Sequence, residues 1–411
     1  MKKIKVFFIF LVVPILLFSQ YKGTASVSQG IAATTMSNLY SCTNGRVTNI
    51  GKITAMDSTV WTMPAAVNFS NASFPFASDL YNPCTNVLHP NAAAALAALK
   101  GNDIITIDPS GELFTSFIFA DNYFELYING IPVGKDNVPF TQFNSNIVRF
   151  RVKRPFTIAM LLVDWEEQLG VGCENNSGFL FHPGDGGMVA VFMDSTNKIV
   201  AKTDSSWKAQ CFYTSPIVDL KCPMEIGSLR LSDQCSTQNS NNGSKYYALH
   251  WPRPTQWMDQ HFDDRIFPNA KTYTNAAVGV DNKPAYTNFT SLFDNPTNDA
   301  QFIWSSNLVL DNEVIVRTTV PGPTVATQSV PEENSILIYP NPANQDFHGI
   351  TILSLAKENI DELILYNNLG IPVWNTKPNK ELIEIPIPSS GIYFAQILIH
   401  QTTVLKKIII Q

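Results

Sequence analysis

Phe114-Thr-Ser-Phe-Ile-Phe-Ala120 and Tyr123-Phe-Glu-Leu-Tyr-Ile-Asn129 decide the fold class. The first is an apolar run rich in strand-forming aromatics. The second partly alternates and then meets Gly130, as a strand entering a turn does, and Asn129-Gly130 suits a type I′ hairpin. Outward from this pair the pattern continues. Ile147-Val-Arg-Phe-Arg-Val152 alternates in its second half, and Thr157-Ile-Ala-Met-Leu-Leu-Val163 is continuously apolar, as a strand buried on both faces would be. Gly187 to Met193 and Lys198 to Lys202 flank Asp194-Ser-Thr-Asn197, a hairpin pattern, and Phe302 to Trp304 and Glu313 to Arg317 supply late strands. Only Asn91 to Lys100, opened by Pro90 and closed by Gly101, reads as helix. Many short strands separated by turn signals predict an all-β, jelly-roll-like sandwich.

The chain has 411 residues, 45% of them hydrophobic and 15% charged, enough for two or three packed domains and too apolar for disorder. Its formal charge of −6 comes without any basic run past the N-terminus, which excludes a nucleic-acid partner. Lys2, Lys3 and Lys5 followed by the apolar run Val6 to Phe18 read as a secretory signal over 1–20, cut near Ser19 or Gln20. No later stretch is long and apolar enough for a membrane helix, so no transmembrane segment is expected in the mature chain. The six cysteines, at 42, 84, 173, 211, 222 and 235, have no zinc-type spacing and are expected in disulfides. Close spacing favours Cys211–Cys222 or Cys222–Cys235.

Residues 318–332 are rich in Pro, Thr and Val and read as an extended linker between a region at 21–317 and a tail at 333–411. Within the first region, 21–110 has no clear assignment: it supplies either first strands of the same domain or a cap. The tail shows strand patterns at 336–339, 350–353, 362–366, 382–385, 392–398 and 404–410, which predict a small Ig-like sandwich.

Tyr339-Pro340-Asn341-Pro342-Ala343, then Leu363 to Gly370 with Val373 behind it, then Ser390-Gly391-Ile-Tyr393-Phe394, and finally Lys406-Lys407-Ile-Ile-Ile410 follow one another in the tail. In this order they resemble the type A sorting domain of Bacteroidetes type IX secretion substrates. The resemblance implies the type IX machinery as partner and a secreted or outer-membrane surface location. The local reasons are structural: Pro340 and Pro342 hold the chain extended, and Gly370 and Gly391 open turns.

Ala120 to Gly134, Lys198 to Lys208 with its Thr-Asp-Ser-Ser-Trp-Lys, and Phe262-Asp263-Asp264 with Pro268 and Ala270 resemble galactose-binding-like jelly-roll modules. The resemblance spans roughly 200 residues and implies fold more than ligand. Arg265 and Phe267 stand where that family has Ser and Trp.

Sugar recognition needs aromatic faces beside carboxylates and amides. The loops best supplied are Asp164-Trp165-Glu166-Glu167 and His250-Trp251 to Trp257, so Asp164, Trp165, Glu166, Trp251 and Trp257 are the candidate glycan contacts. Trp207 and Trp304 read as packing. Asp263 and Asp264 suit a hard cation, and Ca²⁺ is the cofactor such a loop would take. No nucleophile elbow, zinc-protease helix or phosphate loop is present. The leading expectation is a non-catalytic carbohydrate-binding protein. Against it stand a glycan hydrolase using carboxylates within 164–174 and an adhesin that binds protein.

Overall fold

A computed structural model describes residues 21–411 except 141, 177–178, 237–242, 297, 323–335, 345, 348, 356, 387 and 400–401. The expected signal segment at 1–20 and most of the expected linker lie outside the described residues. The chain forms two compact units, divided between Gly322 and Pro323.

The first unit is a sandwich of two main sheets. One has seven strands in the order Ser26–Gln29, Tyr247–His250, Lys208–Ile217, Asp311–Val320, Phe156–Val163, Tyr123–Ile128 and Ile131–Lys135, every neighbour antiparallel. The other is built on Gly187–Asp194, Glu112–Asp121 and Ser145–Val152, with Phe302–Trp304 and Lys271–Tyr273 on one side and Ser78–Asn82 and Val87–Leu88 on the other. The hairpin at Asp194 to Asn197 forms, with Phe192 opposite Ala201. Asn129 and Gly130 both take positive φ, 51° and 82°, as the type I′ turn requires.

Strand periodicity explains the packing. Phe124, Leu126 and Ile128, with Ile158, Met160 and Leu162, face the second sheet and pack on Phe117, Phe119, Phe150 and Val189. The alternate residues Tyr123, Tyr127, Ala159, Leu161 and Val163 face a second core formed with Phe69, Phe74, Trp165, Trp251 and Trp257. The seven-stranded sheet is therefore covered on both faces, which is why Thr157 to Val163 is apolar throughout. Residues 21–110 do two jobs. They give each sheet an edge strand, and they lay Phe69 and Phe74 over the outer face of the seven-stranded one.

Several expectations need correction. The expected linker starts too early, because Thr318 to Val320 still pair with Ile158 to Phe156. Two disulfides form, Cys42–Cys84 and Cys222–Cys235, while Cys173 and Cys211 are buried free thiols. An even cysteine count did not mean full pairing, since these two sit as small apolar groups in the core. The expected helix is Ala92–Ala98, capped by the Asn91 side chain, which accepts from the Ala94 amide at 2.9 Å. Three further single-turn helices, Asn275–Val278, Pro284–Thr287 and Thr290–Phe293, are too short to leave a periodic signal. Trp207 and Trp304 are buried, as expected of packing residues. No helix of the described residues is long and apolar enough to cross a membrane.

The second unit has a three-stranded sheet, Ile336–Tyr339, Ile350–Ser354 and Leu382–Ile385. Its four-stranded sheet takes the order Pro372–Thr376, Glu362–Asn367, Gly391–Ile399 and Thr402–Ile410. Ile350, Ile352, Leu363, Leu365, Ile397 and Ile408 fill the space between them. Asn341, between its two prolines, uses its amide as a backbone unit would. It donates to the Lys407 carbonyl at 2.8 Å and accepts from the Ile409 amide at 3.0 Å. That ties the Tyr-Pro-Asn-Pro segment to the last strand, which carries Lys406 and Lys407. Gly370 uses left-handed backbone at φ 73°, whereas Gly391 at φ 158° is close to extended. Tyr393 is buried and donates its hydroxyl to the Ser389 carbonyl at 2.8 Å.

Candidate functional site

The site grows from the point where the chain passes from one sheet to the other. Asp121 ends the strand Glu112–Asp121, and Tyr123 starts the next strand in the opposite sheet. Asn122, joined to Asp121 by a cis peptide, pins the crossing. Its backbone amide donates to the Val163 carbonyl at 3.2 Å, and its side-chain oxygen accepts from the Trp165 amide at 2.6 Å. Its side-chain nitrogen donates to Asp121 Oδ1 at 2.7 Å. Asp164, between those two anchors, has its own amide bonded to the Asn312 carbonyl at 2.9 Å.

Asp121 and Asp164 therefore come to one end of the sandwich from different sheets. There they line a cleft of about 300 Å³ with Arg46, Asn122, Phe143, Glu174, Asp185 and Lys283. Arg46 ion-pairs with Glu174 and lies 5.0 Å from the Phe140 ring centre. Lys283 sits 4.5 Å over Phe143. A Cβ on Gly184 would stand 3.1 Å from Asp164 Oδ2 and 3.3 Å from Glu174 Oε1, so these two carboxylates crowd the same glycine. Asp164 is only 6% exposed, and its carboxylate has no hydrogen-bond partner among the described residues.

Such burial is costly for a charge. Desolvation, then the charges of Asp185 and Asp164, push the Asp121 carboxyl well above its usual range. Desolvation, then Asp185 and Glu166, do the same to Asp164. Asp185 is pushed up to about 6 by burial, against the pull of Lys283. The cleft thus offers carboxyls that hold protons readily beside two fixed cations, a mixture of hydrogen-bond donors and acceptors. Among the described residues no group of three or more His, Cys, Asp or Glu is arranged to hold a metal ion.

Of the residues the sequence nominated as glycan contacts, Asp164 alone faces this cleft, and Glu174, from the carboxylates at 164–174 expected of a hydrolase, joins it there. Glu166 turns inward, accepting from the Gly170 amide at 2.5 Å and the Tyr213 hydroxyl at 3.0 Å, and burial pushes it up to about 8. It holds its own turn rather than a ligand. The tryptophans are a correction. Trp165 is fully buried, edge-on to Tyr123, with its indole N–H on the Asn49 carbonyl at 3.1 Å. Trp251 donates to Glu225 at 2.9 Å beneath Arg230, and Trp257 packs against Tyr127. Covered on their faces, none of the three can stack on a sugar. The second loop contributes His250, Trp251 and Arg253 to a different pocket, so the two loops do not share a cleft. Asp263 and Asp264 are corrected too: Arg265 takes the first carboxylate at 2.7 Å, and the buried Arg317 takes the second at 3.1 Å. Guanidinium groups already occupy the positions a cation would need.

Sequence reasoning missed Arg46, Asp121, Asn122, Asp185 and Lys283. Asp185 left a signal in Gly184-Asp-Gly-Gly187, because a charged residue framed by glycines marks a tight approach. A Cβ at Gly186 would stand 2.4 Å from Trp304.

Residues 337–411 match the family described as secretion system C-terminal sorting domain. No curated protein matches the chain. Among solved structures, PorZ, a surface component of the type IX secretion system of Porphyromonas gingivalis, is 16% identical. That match covers 24% of this chain and 14% of PorZ, with a TM-score of 0.18. The Ruminococcus gnavus β-glucuronidase is 9% identical over 73% of this chain and 33% of its own, with a TM-score of 0.13. The Pleurotus ostreatus lectin, solved with GalNAc, is 13% identical over 75% and 74%, with a TM-score of 0.15. These structural likenesses are too faint to carry an argument.

Proposed function

We propose that the sandwich unit, taken to the cell surface or the medium by its type IX sorting tail, binds carbohydrate without turning it over. The ligand seat in this reading is the cleft at Asp121, Asp164 and Asp185. The observation that carries it is Asp164, a buried carboxyl held rigid at both flanks and without a hydrogen-bond partner among the described residues on a cleft wall. Its carboxyl opens onto the cleft, where a ligand hydroxyl can take the place of water against it. Sugar hydroxyls suit the wall because each one donates to carboxylates and accepts from Arg46 or Lys283.

Screening the mature protein on a glycan array is the test. Retained glycans should bind at least tenfold more weakly to Asp164→Ala, about the loss of one buried hydrogen bond. Equal binding by this folded variant would remove the cleft from the proposal. The hydrolase reading keeps one observation in its favour, the approach of Asp164 and Glu174 to the same glycine, since glycosidases work with paired carboxyls. Turnover of chromogenic glycosides that disappears in both Asp164→Asn and Glu174→Gln would replace binding with catalysis.

A further inference from the structure

Six side chains gather at another edge of the sandwich, and they share no residue with the cleft. Asp136 and Asn137 follow the strand Ile131–Lys135, Asn144 and Asn146 lie at the start of Ser145–Val152, and Asp79 and Asn82 come from the paired strand Ser78–Asn82. Asp136 is 1% exposed, and its Oδ2 is buried with no hydrogen-bond partner. Ionised, that oxygen needs a donor or a cation; protonated, its hydrogen needs an acceptor. The fold provides neither.

The surrounding amides are oversubscribed. Asn144 Nδ2 lies 2.8 Å from Asp136 Oδ1, 3.3 Å from Asn137 Oδ1 and 3.2 Å from Asn146 Oδ1, three acceptors for two hydrogens. Asn137 Oδ1 is in turn approached by the amides of Asn82, Asn144 and Asn146 at 3.3, 3.3 and 3.4 Å, three donors for two lone pairs at the outer limit of hydrogen bonding.

We infer that this cluster is a Ca²⁺ site, with Asp136 Oδ2 as its innermost ligand and the asparagine amides and Asp79 completing the shell. The donors are all oxygen, with neither sulfur nor imidazole among the six. Neutral amide oxygens suit the loose, high-coordination shell of Ca²⁺ better than the rigid octahedron of Mg²⁺. Two aspartates supply the charge that a divalent ion balances. Desolvation, which pushes the Asp136 carboxyl up to about 8, and the nearby charge of Asp79 are what the ion would offset. Asp79 and Asn137 are half-buried, which leaves a way in.

The test uses the full mature chain, stripped with EDTA and titrated with CaCl₂. One Ca²⁺ should be retained per chain after dialysis, by elemental analysis. Melting of the sandwich unit should rise on the order of 5–10 °C at millimolar Ca²⁺. Asp136→Asn should abolish both effects. Asp79→Asn, a change on the half-buried rim that keeps the fold even where the inner variant fails to, should weaken binding at least tenfold. Exposed Asp263→Asn should leave it intact. Absence of retained metal, equal stabilisation by Mg²⁺, or binding that survives at both Asp136 and Asp79 would overturn the site.

Discussion

The two units solve the same problem, closing a β-sandwich, with opposite materials. In the tail the core is aliphatic apart from Tyr393, and among its described residues only Ser354 and Tyr393 bury a polar side chain. The larger unit buries Asp121, Glu125, Lys135, Asp136, Asp164, Glu166, Asp311, Glu313 and Arg317, and adds two disulfides. Buried ionic groups are weak contributors to stability, so a domain that needs only to fold and be recognised has no use for them. The proposed ligand seat draws on two of them, Asp121 and Asp164. The tail stands for an address, and the larger unit for whatever is delivered.

The largest test of that division removes the tail. A chain ending before residue 337 should fold, bind and melt as the larger unit does, yet fail completely to reach the surface or the medium. Fractionation of cells with an antibody to the larger unit reads the result. Export of the shortened chain would break the contrast at its root.

A smaller effect separates the two kinds of core. Arg317, 1% exposed, donates to Asp264 at 3.1 Å and to the Asp259 carbonyl at 3.1 Å, and also bonds the Trp257 carbonyl. Arg317→Met leaves all three acceptors stranded and should cost about 3–5 kcal/mol in urea unfolding of the larger unit. In the tail, Ile397→Val deletes one methyl from an apolar core and should cost about 0.5–1.5 kcal/mol. Comparable losses at both sites would mean the ionic groups are no more demanding than ordinary packing.

The same contrast explains what the sequence showed. The strands of the tail and the central strands of the larger unit were legible because alternation and continuous apolar runs follow directly from burial on one face or two, whereas Lys208–Ile217, Tyr247–His250, Ser26–Gln29 and Ser78–Asn82 went unread. The tail was legible almost entirely, missing only the strand at Pro372–Thr376, whose exposed and half-exposed residues leave a weak pattern. The cleft was not. Its residues run from Arg46 to Lys283, and a pairing such as Val163 with Glu313 joins segments about 150 residues apart, beyond any local period. The tryptophans misled because Trp beside charged residues looks like a surface platform. What buries them is the layer carrying Phe69 and Phe74, in the stretch of sequence with the least pattern. Asp164 was found because a charge directly after a fully apolar strand is visible from sequence alone.

The sharpest expected effect is in pH. Glu166 and Asp136 are pushed up to about 8 and Asp185 to about 6, all mainly by burial. In the unfolded chain these groups titrate near 4. Between about pH 4 and those raised values the folded state holds protons that the unfolded chain has lost, so stability falls as pH rises. Each such group contributes at most about 1.4 kcal/mol per pH unit. The melting temperature of the larger unit should therefore drop from pH 5 to pH 8 in EDTA, while the tail, with no buried carboxylate among its described residues, holds steady. Glu166→Gln should flatten the slope whatever it does to stability at pH 5, because its amide cannot titrate beside Tyr213 and Gly170. Ca²⁺ adds a second handle. An ion that needs ionised Asp136 binds more tightly at pH 8 than at pH 5, so its addition should reverse part of the decline. A slope identical with and without Ca²⁺ would detach Asp136 from the ion, and one unchanged by Glu166→Gln would mean that burial of that carboxyl is not what sets the pH response.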